Sequence, residues 1–284
     1  MTYRYQPLIL IGAARSGTKL VRDLIAHHPD VSKIPYDINY IWRLGNEHLP
    51  HDELSPDMLT PQIRRRIVRY CGRHSEGNAV LIEKTVSNCL RIPFVHAVFP
   101  EAKFLHLVRD GRDVVESVYR QWLAPPDWRY IVQKALTFPL TLAFTYAMRY
   151  AWQVWIQLLT ANKHRSGTWG PRYQGIDQDV GIRDVLEVCA LQWKRSVETA
   201  VRDLKYIPEA QVMTLRYEEF IFNPRQCFEQ IAAFVGINPH HYSTLNLQHV
   251  SSENIGKGFK NLHPEQIALV WPIIRQTLIL LHYQ

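Results

Sequence analysis

The chain has 284 residues, of which 46% are hydrophobic and 21% are charged, and its formal net charge at pH 7 is +7. This composition excludes a disordered or fibrous protein and favours one elaborated domain over residues 1–284. The positive charge favours an anionic partner. Because the basic residues are spread along the chain, a phosphorylated small molecule fits as well as nucleic acid does.

Cysteine spacing and hydropathy narrow the class of protein further. The four cysteines are widely separated and lack metal-ligand spacing, so we expect reduced, buried thiols and no metal site. Residues 1–5 lead almost directly into an apolar strand pattern without room for a signal peptide, so we expect a cytoplasmic location. Residues 131–159 are apolar but interrupted by polar and charged side chains, which indicates buried helix and no membrane span.

Short apolar runs alternate with helical patterns along the chain. Strands followed by helices predict right-handed crossovers and an α/β fold, a three-layer sandwich like that of P-loop NTPases, with a mostly parallel central sheet. Such a sheet binds ligands at the carboxyl ends of its strands. The predicted strands are Leu8–Ile11, Val80–Ile82, Phe104–Val108 and Gln211–Leu215. The predicted helices are Thr18–His28, Val114–Leu123, Arg183–Leu204, Pro224–Val235 and Pro264–Leu281.

The alternation is interrupted between residues 122 and 180. This segment begins as a long, aromatic-rich helical pattern and ends in a polar, glycine-containing loop over residues 162–181. We interpret the segment as a helical insertion, or lid, over the acceptor site of the same domain.

The segment Gly12-Ala13-Ala14-Arg15-Ser16-Gly17-Thr18-Lys19 joins the first strand to the first helix. In this position backbone N–H groups and the helix N-terminus converge on an anion. A nucleoside triphosphatase loop would place Ser or Thr directly after the lysine to hold Mg²⁺. Here Leu20 follows Lys19, so the loop suits a phosphate group better than a metal-bridged triphosphate.

The run Arg15-Ser16-Gly17-Thr18 resembles the 5′-phosphosulfate loop of sulfotransferases. The segment from Lys103 to Ser117 is similar to the 3′-phosphate motif of that family, with Arg109 at a strand end and Ser117 two helical turns further along. This resemblance implies 3′-phosphoadenosine 5′-phosphosulfate as the donor and 3′-phosphoadenosine 5′-phosphate as the product, without a required metal. It also implies a small-molecule donor rather than a nucleic-acid partner.

Two later segments extend the resemblance. Tyr217-Glu218-Glu219-Phe220, followed by Asn223-Pro224, is similar to the family segment whose tyrosine contacts adenine. Residues 251–257 are similar to a loop that closes over the donor in tyrosylprotein sulfotransferases, which implies donor contacts for Ser251 and Lys257. Three of the candidate residues also have simpler interpretations. Tyr217 is then a packed aromatic ring, Arg109 forms a surface ion pair, and Ser117 is an ordinary helix hydroxyl.

Sulfuryl transfer requires in-line placement of the reacting oxygens and positive charge near the transferring group. By the resemblance, Arg15 holds the phosphosulfate with help from Lys19, and Lys84 after the second predicted strand stabilises the transition state. A structural ion pair of Lys84 with Glu83 or Asp110 is the alternative.

A general base is less directly indicated. Tyrosylprotein sulfotransferases carry a glutamate after a segment like His28-Pro29-Asp30-Val31, and the nearest carboxylate here is Asp37, displaced by one or two residues. Asp37 is therefore the candidate base, with a helix N-cap as its alternative role. Cytosolic sulfotransferases use a histidine where this chain has Val86, which excludes that version.

The sequence therefore predicts a sulfotransferase whose acceptor is a hydroxyl or an amine. Carbohydrate, lipid, small-metabolite and peptide-tyrosine acceptors are all compatible with it, as is any oligomeric state. Two alternatives are a P-loop kinase for small molecules or nucleotides, and a catalytically silent nucleotide-binding protein of the same fold.

Overall fold

The computed structural model of the protein describes residues 3–124, 169–245, 247 and 250–283. The chain divides into two compact units, Met1–Tyr119 with Gly170–Gln284, and Arg120–Trp169. Most of the second unit lies outside the described residues. The single-domain interpretation, with residues 122–180 as a lid, therefore stays a prediction.

A five-stranded sheet forms the centre of the first unit. The strand order is β2-β3-β1-β4-β5, and every neighbouring pair is parallel. This arrangement confirms the expected parallel α/β fold. The strands are β1 (Gln6–Ile11), β2 (Val31–Lys33), β3 (Val80–Glu83), β4 (Lys103–Val108) and β5 (Val212–Arg216).

Helices connect and cover the strands. Among the described residues they are α1 (Thr18–Ile25), α2 (Asn39–Trp42), α3 (Pro61–Gly72), α4 (Ile92–Val98), α5 (Gly111–Leu123), α6 (Ile176–Ile182), α7 (Val185–Leu204), α8 (Tyr217–Phe222), α9 (Pro224–Val235), α10 (Lys257–Asn261) and α11 (Pro264–Leu280). Short 3₁₀ turns cover Pro56–Met58, Val86–Leu90, Glu209–Gln211, Pro239–Tyr242 and Ser252–Asn254.

The central strands are buried almost throughout because helices cover the sheet, and this is why they appear in the sequence as continuous apolar runs. Alternate residues such as Leu8 and Leu10 of β1 enter a core with α1, α8 and α9. Burying such side chains contributes about 25 cal/mol for each Å² of apolar surface removed from water.

The structure corrects two expectations. The edge strand β2 was not predicted, because it has only three residues and two of them, Ser32 and Lys33, are polar. Residues 176–181, predicted as loop, belong to α6, which begins after Gly175 at φ 96°. Asp179 stabilises α6 by accepting hydrogen bonds from Tyr173 and Arg183. The glycine and acidic residues of this segment therefore belong to a helix and not to the predicted loop.

All four cysteines lie among the described residues and are buried free thiols, as predicted. Over the described ranges, no helix combines the length and the apolar character needed to cross a membrane. In the same ranges, no group of three or more His, Cys, Asp or Glu side chains is arranged to hold a metal ion.

Candidate functional site

The carboxyl ends of β1, β3, β4 and β5 lie at one edge of the sheet because all four strands are parallel. The predicted site residues follow these ends: the phosphate loop after β1, Lys84 after β3, Arg109 after β4 and Tyr217 after β5. The fold therefore brings together, at one edge of the sheet, motifs that are about two hundred positions apart in the chain.

The loop after β1 turns sharply before α1. Arg15 has φ 68° and Gly17, the N-cap of α1, has φ 88°. The Ser16 N–H donates to the Ala13 carbonyl over 3.1 Å, which closes the turn. The first N–H groups of α1 have no partner within the helix, as at any helix N-terminus, so they face the region in front of the loop.

Ser16 gives an independent indication of a ligand at this loop. Its side chain is buried, yet its Oγ has no hydrogen-bond partner within the described part of the chain. A buried hydroxyl without a partner is costly, and an anion bound at the loop would accept a hydrogen bond from it. Thr18 is buried beside it, whereas Arg15 and Lys19 are exposed.

Arg15 connects the phosphate loop to the predicted 3′-phosphate motif. Its Nε donates to the Ser117 Oγ over 3.0 Å, and its carbonyl accepts from the Arg109 Nη1 over 3.1 Å. The two sequence motifs that the resemblance assigned to two different phosphates therefore form one continuous site.

Arg109 is the most enclosed cation of this site, with 6% of its surface exposed. Its guanidinium carbon lies 4.4 Å from the centre of the Tyr217 ring, and its Nη2 lies 3.7 Å from an Asp113 carboxylate oxygen. Its Nε has no hydrogen-bond partner among the described residues. Arg109 is thus held on several sides while one N–H remains for a ligand.

Asn254, within the segment 251–257 that was predicted to close over the donor, contacts Arg109. The Asn254 carbonyl accepts a hydrogen bond from Arg109. Ser251 itself caps the 3₁₀ turn Ser252–Asn254, and the Lys257 Nζ donates to the Asn254 Oδ1 over 2.9 Å. The side chains of Ser251 and Lys257 are therefore engaged within the loop in this structure.

Asp113 is a site residue that the sequence motifs did not identify. Its two carboxylate oxygens accept from the N–H groups of Gly256 and Gly258, each over 2.8 Å, which docks the loop onto α5. Asp113 lies in the first turn of α5, directly after the segment that carries Arg109, and this position was the available signal.

Lys84 and Asp37 meet at the end of β3. The Lys84 Nζ lies 3.8 Å from the Asp37 Oδ2, and burial lowers the pKa of Lys84. Asp37 also accepts main-chain N–H bonds from Asn39 and Val86, each over 3.1 Å. The N-cap of α2 is Ile38, and Asp37 accepts the first N–H of that helix while its carboxylate lies opposite Lys84, so its role as a general base stays a prediction.

A buried polar network lies beside Lys84, and the sequence motifs missed it. Glu83 is 2% exposed, and burial raises its pKa to about 7. Arg91 is fully buried, and burial lowers its pKa to about 10. The signal was the succession of polar residues in the interior of a fold where apolar ones are expected. The network also includes Asn39, Arg43, Asp52, Thr85, Ser87 and Asn88.

Comparison with known proteins gives one family. A model described as the Sulfotransferase family matches residues 7–165, more than half of the chain. Protein-tyrosine sulfotransferase 2 of Gallus gallus is 25% identical over 270 residues, which cover 90% of this chain and 57% of that protein. Protein-tyrosine sulfotransferase 1 of Danio rerio is 32% identical over 124 residues, covering 39% of this chain and 35% of that protein. The matched segments therefore span little more than half of the first relative and about a third of the second.

Solved structures agree on the fold. The sulfotransferase domain from the curacin biosynthetic pathway superposes with a TM-score of 0.53 at 14% identity, covering 100% of this chain and 99% of that chain. A sulfotransferase from Alicyclobacillus acidocaldarius gives a TM-score of 0.53 at 16% identity, covering 98% and 96% respectively. At this identity the likeness concerns the fold alone.

Proposed function

The chain belongs to the sulfotransferase family, and we propose that it transfers a sulfuryl group from 3′-phosphoadenosine 5′-phosphosulfate to a hydroxyl or amine of an acceptor. The observation that carries the proposal is the contact of Arg15 with both Arg109 and Ser117. It supports a single site, formed by the loop after β1 and the start of α5, for a nucleotide with separate 5′ and 3′ phosphates.

The residues present suit such a donor. The Ser16 hydroxyl, the N-terminus of α1 and Arg15 would hold the 5′-phosphosulfate. Arg109, whose Nε has no partner among the described residues, and Ser117 would hold the 3′-phosphate. Tyr217 presents an aromatic ring beside Arg109, which suits a purine base.

The bound donor supplies an activated sulfuryl group on a phosphate leaving group. The residues of the chain would provide the charge and the proton acceptor. Lys84 carries a positive charge in a largely buried position, where electrostatic stabilisation of a transition state is stronger than in water. Asp37 pairs with the Lys84 ammonium over 3.8 Å, and it would accept the proton of the acceptor hydroxyl.

The loop composition favours this donor over ATP with magnesium. Leu20, at the position where a P-loop kinase carries its metal-binding hydroxyl, packs against the hydrophobic core. An apolar side chain packed in this way offers no oxygen to a metal ion.

The first test is calorimetry with adenosine 3′,5′-bisphosphate against ATP plus Mg²⁺. We expect the bisphosphate to bind at least about 100-fold more tightly, because only it uses the Arg109 and Ser117 subsite. Preference for ATP would overturn the proposal in favour of a kinase.

The second test measures transfer from radiolabelled donor to a panel of acceptors and to water. The named activity of the relatives makes tyrosine-containing peptides the first acceptors to test, followed by carbohydrates, lipids and small hydroxyl or amine metabolites. Lys84→Ala should lower the transfer rate by about 100-fold while the bisphosphate still binds. Tight bisphosphate binding by the wild type without any transfer would instead indicate a catalytically silent binding protein.

A further inference from the structure

Glu83 ends β3 immediately before Lys84 and is almost completely buried. A buried carboxyl group is costly unless it accepts hydrogen bonds. The residues that donate hydrogen bonds to Glu83 connect it to the segment directly after Asp37, the ion-pair partner of Lys84.

The first branch runs through Thr85. The Thr85 hydroxyl donates to the Glu83 Oε1, and the same oxygen of Thr85 accepts from the N–H of Ile38 over 3.1 Å. Because the hydroxyl proton is directed to Glu83, a lone pair of Thr85 is left for Ile38. Glu83 therefore sets the orientation of the Thr85 hydroxyl, whose oxygen accepts the hydrogen bond from Ile38, the residue after Asp37.

The second branch runs through Asn88 and Arg91. The Asn88 Nδ2 donates to the Glu83 Oε2 over 2.9 Å, and the Asn88 Oδ1 accepts from the Arg91 Nε over 2.8 Å. The Arg91 Nη2 then donates to the Asn39 Oδ1. This branch ends two residues after Asp37.

The two branches hold the residues directly after Asp37. With residues 38 and 39 held, the Asp37 Oδ2 accepts from the Val86 N–H and lies 3.8 Å from the Lys84 Nζ. We propose that Glu83 is a positioning residue that holds Asp37 against Lys84 through Thr85, Asn88 and Arg91. This inference rests on the proposed function for its catalytic consequence, but not for its structural one.

The ionised form of Glu83 is the one that fits both branches. A carboxylate accepts from Thr85 and Asn88 together, whereas a protonated carboxyl carries a proton on one of the two oxygens. Burial raises the pKa of Glu83 to about 7, so this change falls near neutral pH. Asp37 also raises this pKa and Lys84 lowers it. The Arg91 guanidinium and the Cys71 thiol of α3 also interact electrostatically with the Glu83 carboxyl. We therefore expect the arrangement to loosen as the pH falls through about 7.

The experiment uses Glu83→Gln, which keeps the size of the side chain but can accept only one of the two hydrogen bonds. Amide hydrogen exchange measured by NMR should be at least about tenfold faster at Ile38 and Val86 than in the wild type. Affinity for adenosine 3′,5′-bisphosphate should stay within about threefold, because the Arg15, Arg109 and Ser117 contacts are untouched. Transfer of labelled sulfate to water should fall by about 10-fold to 100-fold, and the loss of rate that we expect in the wild type below about pH 7 should be absent from the variant.

Glu229→Gln is the matched control, since Glu229 is exposed on α9, and it should behave as the wild type in all four measurements. Thr85→Val removes one hydroxyl from the first branch and should accelerate exchange at Ile38 even if Glu83→Gln fails to fold. Unchanged exchange at Ile38 in both variants, or a wild-type rate and pH profile in Glu83→Gln, would overturn the inference. If the wild type neither binds the bisphosphate nor transfers sulfate, the proposed function fails, while the exchange data still decide whether Glu83 holds residues 37–39.

Discussion

The guanidinium of Arg15 and the hydroxyl of Ser117, 102 positions apart in the chain, are joined by a hydrogen bond of 3.0 Å between Nε and Oγ. Arg15 belongs to the loop after β1, and Ser117 lies in the second turn of α5. The loop after β1 is thereby connected to the start of α5, where we propose that the 3′-phosphate of the donor binds.

Ser117→Ala should weaken binding of adenosine 3′,5′-bisphosphate by about tenfold, because it removes one hydrogen bond to a charged group. Affinity for adenosine 5′-phosphate, which lacks the 3′-phosphate, should change little. Calorimetry with both nucleotides tests this, and Thr244→Ala, at an exposed position, is the control. Equal losses for both nucleotides would show that Ser117 does not serve the 3′-phosphate.

Gly17→Ala should impair both stability and nucleotide binding. Gly17 has φ 88°, and a Cβ built there lies 2.3 Å from the Tyr217 Cε2, so alanine must displace the ring that packs on Arg109. Gly77→Ala is a matched control, because Gly77 has φ 82° but a Cβ there meets nothing within 4 Å. We expect each variant to lose about 1 kcal/mol from the left-handed conformation, and only Gly17→Ala to lose affinity for the bisphosphate, by about tenfold or more. Chemical denaturation and calorimetry measure the two effects, and equal behaviour of the two variants would contradict the role of the Tyr217 contact.

Asp37→Asn should preserve bisphosphate binding and lower sulfuryl transfer by about two orders of magnitude, because an amide cannot accept the proton that a general base takes. The Asn side chain can still accept one of the two main-chain bonds, from Asn39 or Val86, so most of the fold should be kept. Transfer of labelled sulfate is the measurement, with thermal unfolding to detect loss of the folded state. Asp30→Asn, at an exposed carboxylate, is the control. A wild-type rate in a folded Asp37→Asn protein would leave Asp37 only its capping role.

Acid should destabilise the protein through His106 of β4. Burial lowers the pKa of His106 to about 4 from an ordinary value of 6.5, so the folded state holds the neutral ring. Between these two values the unfolded chain binds more protons than the folded chain. Stability is therefore complete above about pH 6.5 and is lost as the pH falls toward 4, by at most about 3 kcal/mol.

Urea unfolding at several pH values across this window measures the loss. His106→Gln has no titrating ring and should show a shallower decline in unfolding free energy than the wild type. His240→Gln, at an exposed position, should keep the wild-type decline. Parallel declines for the wild type and His106→Gln would show that other groups dominate the acid sensitivity.

Local features of the site were readable from the sequence because they depend on neighbouring residues. The strands β1, β3, β4 and β5 were placed to within two residues at each end, since buried parallel strands are continuous apolar runs. The turn from β1 into α1 follows from Gly17, which adopts a positive φ without steric cost. Short or polar elements such as β2 escaped prediction, because three residues carry no periodicity.

The contacts that make these parts one site are non-local, and only the tertiary structure decided them. Arg109 reaches Arg15 because β4 lies beside β1, and Thr85 reaches Ile38 because β3 pairs with β2, the strand that precedes Ile38. Asp113 holds Gly256 across 143 positions. The hydrophobic period and the turn residues depend only on neighbouring positions in the sequence. Strand order depends on how the whole chain buries its apolar surface and on which crossovers that burial permits. The sequence by itself therefore determined the phosphate loop and the residue types around it, while the packing of the sheet brought Asp37 to Lys84 and Ser117 to Arg15.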